Sequence, residues 1–212
     1  IAQDGAIGVT QDGKPGRLPW PTLRRDQQWF AMLTRSKCPQ EMATYLTFYP
    51  RTINIPQGRH SDMLHFVDGN AVIMGRRTKE SLPHVLAYRH EVVLTHDPFL
   101  LEQPNYHCEF EDALDYAARG LHAPHTFIIG GARPFVEALS RPILDARFLT
   151  EVDAVYPETT AYLRGIQWEE GWFTQNGQTW HRTAYSPWIY QRGCPRYRLG
   201  IWHREKMVEK GK

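Results

Sequence analysis

The sequence is poor in cysteine, in long apolar runs and in net charge, and each shortage excludes something. Cys38, Cys108 and Cys194 stand alone, with no Cys-x-x-Cys pair, which argues against a disulfide framework and against a zinc knuckle. No uninterrupted apolar stretch approaches the roughly 18 residues that a membrane span needs, and nothing reads as a targeting peptide. A soluble protein of the reducing cytoplasm, without a membrane partner, is the expectation. The formal net charge is +2, and the basic residues are scattered apart from Arg24-Arg25, Arg76-Arg77 and the C-terminal end. Nucleic acid is therefore not expected as a partner. The histidines do not fall at metal-ligand spacing, so no metal is expected either.

What is present describes a globular chain. With 212 residues, 42% of them hydrophobic and 12% aromatic, there is enough material for one sizeable core. Short apolar runs closed by glycine or polar residues, Ala71–Met74, Val92–Thr95 and Phe127–Ile129, read as strands buried on both faces. Between them lie helical patterns at Arg76–Leu82, Glu111–Leu121 and Arg133–Leu139, with a further strand at Arg147–Val152. The alternation predicts an α/β fold with a mostly parallel central sheet flanked by helices. Aromatic-rich stretches near Thr179–Tyr185 and Arg196–Trp202 suit antiparallel strands at its C-terminal edge. Residues 9–17 read as a mobile loop, and 22–35 as a helix with Thr22 as N-cap. The segment 36–70 has several prolines, little periodicity and a group of aromatics, and reads as an insertion within a single domain spanning 1–212.

Several strand ends and one helix carry residues suited to chemistry. Asp26, Phe30 and Leu33 fall on one helical face, where a lone acid costs free energy unless something nearby uses it. Asp26 is open to two readings at this point, a first-turn anion favoured by the helix dipole or a functional carboxylate. Gly75 with Arg76, Arg77 and Thr78 offers close backbone approach, cations and amides suited to phosphate, or else a solvated basic turn. Thr95 and His96 close the next strand. Gly130-Gly131-Ala132 is a second strand, glycine turn and helix start, though not a Gly-x-Gly-x-x-Gly fingerprint. Arg89 could fork onto a carboxylate, and the Thr150 hydroxyl, inside an apolar strand, needs a hydrogen-bond partner.

In their order along the chain these motifs resemble dihydrofolate reductase. The similarity runs through Ile7-Gly8, Leu18-Pro19-Trp20, Asp26 with Trp29-Phe30, Val72–Thr78, Arg89 before Val92–Thr95, Ile129–Ala132, Leu149-Thr150 with Asp153, Trp168-Glu169 and the strand around Tyr197. The resemblance implies NADPH-dependent reduction of 7,8-dihydrofolate, with hydride delivered to pterin C6 and a proton to N5. It implies a catalytic group of Asp26, Trp20 and Thr150, with Asp26 gripping the pterin and Thr150 bonded to it. Phe30 and Leu82 would enclose the pterin and benzoyl rings, and Arg89 would take the glutamate α-carboxylate. Ile7, Gly75, Arg76, Arg77, Thr78, Thr95, His96, Gly130, Gly131 and Ala132 would hold the cofactor, with residues 9–17 as a lid. Antifolate inhibitors are implied as ligands of the same cleft.

The pattern departs from the family at Gln27, Lys79 and Phe135, and the loop before Leu18 is long. The resemblance also places most of the family's first strand ahead of Ile1. The 36–70 segment has no counterpart, and its aromatics suggest a contact surface through which the chain could form oligomers. Two other readings stand beside the reductase: an enzyme of the same fold acting on a pyrimidine or another pterin, and a non-catalytic binding or structural protein that keeps the fold.

Overall fold

A computed structural model describes residues 1–11, 14–36, 39, 69–163 and 171–205. Its centre is a parallel sheet built on β3 (Asn70–Gly75), whose first five residues are buried. Neighbouring side chains of β3 serve opposite faces, as the pleat requires. Ala71 and Ile73 join Val92, Phe110, Ala113, Ala117 and Ala138 on one side. Val72 and Met74 join Leu86 and Val93 on the other, with Phe30 and Leu82 packed against them. β3 is flanked by β4 (Arg89–Leu94) and β6 (Thr126–Gly130), and β4 by the short β5 (Tyr106–His107), giving the order β5-β4-β3-β6 with every pairing parallel. α2 (Arg76–Ser81) leaves the end of β3, and α4 (Ala132–Leu139) follows β6.

A second sheet is antiparallel, in the order β7 (Ala146–Val152), β11 (Tyr197–Arg204), β10 (Gln178–Tyr185), β9 (Trp172–Gln175). One face of it meets α1 (Arg24–Arg35): Leu23, Trp29 and Leu33 pack with Val152, Tyr197, Leu199 and Ile201. The other face carries Phe173, Trp180 and Trp202. There the Arg147 guanidinium stacks 3.7 Å from the Trp180 ring centre and 5.3 Å from that of Phe173. Desolvation lowers its pKa to about 10, so it stays charged at neutral pH. A third, small sheet joins β1 (Ala6–Gln11) to β2 (Lys14–Arg17) and β8 (Ala161–Tyr162).

Four sequence expectations change. The described part of 9–17 is not a loop, because β1 and β2 pair antiparallel there, Val9 with Arg17 and Gln11 with Lys14; glycine and proline in a strand's sequence do not prevent its pairing. Thr22 is not the N-cap. The helix starts one residue later on Leu23, which makes no side-chain cap. Groups from the distant C-terminal region meet the free amides instead: Arg24 N–H donates to Gln191 Oε1 at 3.0 Å, and Arg25 N–H to the Tyr197 hydroxyl at 3.3 Å. The strand Arg147–Val152 lies beside β11 and runs antiparallel to it, so it belongs to the second sheet. The helix expected over 111–121 is α3 (Phe110–Asp115) followed by a π-helical turn at Tyr116–Gly120. Of the insertion expected at 36–70, residues 37–38 and 40–68 lie outside the described residues, as do Trp168-Glu169.

No described helix is long and apolar enough to cross a membrane, and no metal-binding cluster occurs among the described residues. One buried side chain ties the helix layer to the parallel sheet. Asn70, the first residue of β3, donates from Nδ2 to the carbonyls of Thr34 (3.1 Å) and Ser36 (2.8 Å), closing the C-terminal end of α1. Asn70→Ala is expected to leave these carbonyls without their donor and to lower stability by about 1–3 kcal/mol. A urea titration with an unchanged midpoint would show that the contact carries no weight.

Candidate active site

Between the two large sheets runs a cleft of about 2140 Å³, roomier than the roughly 300–1,000 Å³ of a pocket for one small ligand. It has space for two bound molecules side by side. Every site residue named from the sequence lines it: Trp20, Asp26, Thr150, Phe30, Leu82 and Arg89, and Ile7, Gly75, Arg76, Arg77, Thr78, Thr95, His96, Gly130, Gly131 and Ala132.

The polar focus of the cleft is a pair drawn from elements 124 residues apart. Thr150, in β7, donates from Oγ1 to Asp26 Oδ1 at 2.5 Å. Asp26 belongs to the first turn of α1, so both readings of it meet in one place: the helix dipole acts on a carboxylate that also faces the cleft. Burial pushes its pKa up, and the hydrogen bond from Thr150 pulls against that by favouring the anion. The result is an acid held protonated to higher pH than a surface aspartate. In the same cleft lining, Trp20 is 8% exposed and tilts against Tyr156 at 5.8 Å between ring centres.

At one end of the cleft the apolar walls meet a cation. Phe30 and Leu82 both pack on the face of the parallel sheet formed by Val72 and Met74. Arg89 is 7% exposed and sits 5.6 Å from the centre of the Phe30 ring. Its Nη1 donates to Thr34 Oγ1 at 2.8 Å and its Nε to the Ala87 carbonyl at 3.2 Å. Desolvation, then the neighbouring charge of Arg35, lower its pKa to about 10 against the opposing pull of Glu91. A guanidinium oriented in this way, with its Nη2 donors not engaged among the described residues, is built to receive a carboxylate.

At the other end, two glycine-ended strands converge. A Cβ on Gly130 would run into the Thr78 side chain, and Gly131 has φ +93°, with the place of a Cβ 3.0 Å from Pro134 Cδ. The Gly75 amide comes within 3.4 Å of that same place. Only glycine allows the two backbones this approach. Cations surround the cradle. Arg77 makes no ion pair among the described residues, whereas Arg76 is already bound to Glu80 at 2.5 Å. Thr95 is buried, and its Oγ1 accepts from the Asp97 amide at 3.1 Å. His96 Nδ1 lies 3.0 Å from Cys108 Sγ, and its Nε2 contacts Arg133. A donor set of glycine amides, arginines and a histidine, with the α4 N-terminus beside it, fits a dinucleotide's phosphates.

Two contributors were not among the residues singled out from the sequence. Thr34, which fixes Arg89, lies four residues after Phe30 and eight after Asp26, so the helical face that led to Phe30 would have reached it as well. Arg133, in contact with His96, follows the Gly130-Gly131 turn at the start of α4 but has no neighbour in sequence to mark it. The departure at Lys79 also acquires a partner, since its ammonium lies 2.5 Å from Glu91 Oε2.

The fold and this cleft define an α/β protein with room for a dinucleotide beside a second small molecule. Comparison with known proteins narrows the class: the profile of the family described as "Dihydrofolate reductase" matches residues 55–190, more than half of the chain. Dihydrofolate reductase of Mycobacterium tuberculosis is 29% identical over 157 residues, covering 71% of this chain and 87% of that protein. The enzyme of that name from Encephalitozoon cuniculi is 31% identical over 163 residues, covering 74% and 69%. The Bos taurus enzyme is 28% identical over 171 residues, covering 72% and 76%. The chain therefore belongs to the dihydrofolate reductase family.

Two outcomes follow from the geometry. An acid whose folded-state pKa is raised makes the native state bind more protons than the unfolded one, so its contribution to stability falls as pH rises from the unfolded value of about 3.9 towards the native one. Asp26→Asn is thus expected to raise the melting temperature at pH 7, with a smaller gain at pH 4. A melting temperature lowered equally at both pH values would mean that Asp26 is a structural anion. In the glycine cradle, Gly130→Ala should cost about 1–3 kcal/mol through overpacking. Gly75→Ala, whose Cβ would meet nothing nearer than 3.8 Å, should be the milder change by thermal melt.

Proposed function

We propose that the chain reduces 7,8-dihydrofolate to tetrahydrofolate with NADPH as its cofactor, and that the cleft residues divide this work as follows. NADPH supplies a hydride to pterin C6, and the chain's own groups do the rest. The Asp26 carboxyl, once ionised, accepts hydrogen bonds from the pterin amino group and ring N–H, and its negative charge against the ring favours protonation at N5. Thr150 keeps that carboxyl in one orientation through its hydroxyl. Trp20 closes the site beside it and excludes water. Phe30 and Leu82 enclose the pterin and benzoyl rings, and Arg89 takes the α-carboxylate of the glutamate.

For the cofactor, Gly75, Gly130 and Gly131 allow the backbone against the pyrophosphate, with Ala132 opening α4 beside it. Arg76, Arg77, Thr78, Thr95 and His96 hold the phosphates, and cations at the adenosine end favour NADPH over NADH. Ile7, in β1, lines the nicotinamide end. The β1–β2 hairpin adjoins the cleft on the side where a cover is needed. Antifolates would compete for the pterin portion of the same space, and a reducing cytoplasm suits the free thiols Cys108 and Cys194.

The observation that carries the reading is the Thr150–Asp26 hydrogen bond, which presents one buried carboxyl to a cleft that also holds Arg89 and a glycine cradle. Consumption of NADPH on addition of dihydrofolate is the test. The intact protein should turn over, and Asp26→Asn should lower kcat/KM at neutral pH by about 100-fold or more, the usual span of general acid–base assistance. Absence of turnover by the intact protein overturns the function. Equal turnover by both proteins removes Asp26 from the mechanism.

A further inference from the structure

The cleft mouth beside Arg89 holds a second guanidinium that the reaction above does not use. Arg35 is the last residue of α1, directly after Thr34, the residue that fixes Arg89. Its Cζ lies 5.7 Å from the ring centre of Tyr88, which directly precedes Arg89. Both arginines line the cleft. They are brought together by two independent constraints: Asn70 holds the end of α1, and Tyr88 has a left-handed backbone with φ +62°, sparsely populated for a residue with a side chain.

Two like charges held side by side repel one another. The charge of Arg35 is one of the causes of the lowered pKa of Arg89. Among the described residues neither guanidinium makes an ion pair, and the nearby Glu91 is already bound by Lys79. An arrangement of this kind is relieved by a ligand that carries two anionic groups. The two arginines differ in how they can bind. Arg89 is buried and fixed by two hydrogen bonds, suited to one defined carboxylate. Arg35 is exposed and, among the described residues, is held by stacking on Tyr88, suited to a carboxylate on a flexible arm.

We infer that Arg35 is a specificity residue that binds the γ-carboxylate of the substrate's glutamate while Arg89 binds its α-carboxylate, so that the cleft mouth recognises a dicarboxylate tail. This rests on the proposed function, since the tail is that of dihydrofolate. Arg35 touches no reacting atom. Its influence therefore falls on substrate capture, is screened by salt because the site is exposed, and depends on the charge of one carboxylate alone.

The test compares dihydrofolate with its γ-amide analogue, in which glutamine replaces the terminal glutamate and the α-carboxylate is kept. The intact protein should prefer dihydrofolate in kcat/KM by about fivefold, the size of one partly exposed charge-assisted contact, and the preference should shrink in high salt. Arg35→Gln should treat the two substrates alike, and Arg35→Lys should recover part of the preference. An intact protein that does not distinguish the two substrates, or an Arg35→Gln protein that still does, overturns the inference. Failure to turn over either substrate would instead overturn the proposed function. The comparison is a ratio within each protein, so partial loss of folded material does not alter it.

Discussion

The hydrogen bond from the Thr150 hydroxyl to Asp26 is the contact on which the arrangement of the cleft depends. It joins the first turn of α1 to a strand of the antiparallel sheet, at a place where burial penalises the charge of an aspartate. A single neutral donor does not abolish that penalty. It orients the carboxyl and leaves its proton affinity above the ordinary value. Burial, orientation and chemistry thus come from one pair of residues.

The rest of the structure serves to hold the two members of that pair and to place the other groups at set positions around them. α1 lies between the sheets: its apolar face packs on Val152, Leu199 and Ile201, while Phe30 reaches across to the parallel sheet. Its start is met by Gln191 and Tyr197, and its end by Asn70. The same helix therefore carries the acid near its first turn and the support of Arg89 near its last. At the other end of the cleft the constraint is steric, because the Gly131 and Gly75 backbones approach one another and side chains at Gly130 and Gly131 would meet Thr78 and Pro134. One helix and one glycine crossing set the two ends of a cleft long enough for two ligands.

Much of this was legible in the sequence because it follows from local periodicity. Ala71–Met74 and Val92–Leu94 are apolar without alternation, and that pattern has one cheap explanation, packing on both faces of a parallel sheet, whereas Phe127–Ile129 has the same pattern on the edge strand β6 and is only half-buried. What was not legible depends on partners distant in sequence. The start of α1 is capped by residues about 170 positions away, so Thr22 looked like the cap in isolation. The antiparallel direction of β7 is set by its pairing with β11, and nothing within Arg147–Val152 records it. The paired flanks of the β1–β2 hairpin were hidden behind glycine and proline. In the site, residue types and their order along the chain pointed to Asp26, Arg89 and the glycine pair, whereas Arg133 and Arg35 gain meaning only from what the fold sets beside them.

The central claim is that Asp26 is a buried acid whose proton affinity is raised by desolvation and restrained by Thr150. A carbon-13 NMR titration of the Asp26 carboxyl in the ligand-free protein tests it most directly. The account predicts a midpoint above the value of about 3.9 for a free aspartate, and a higher one still in Thr150→Val, which removes the donor that favours the anion. A midpoint at or below that of a free aspartate, or one that falls when Thr150 is replaced, would contradict it.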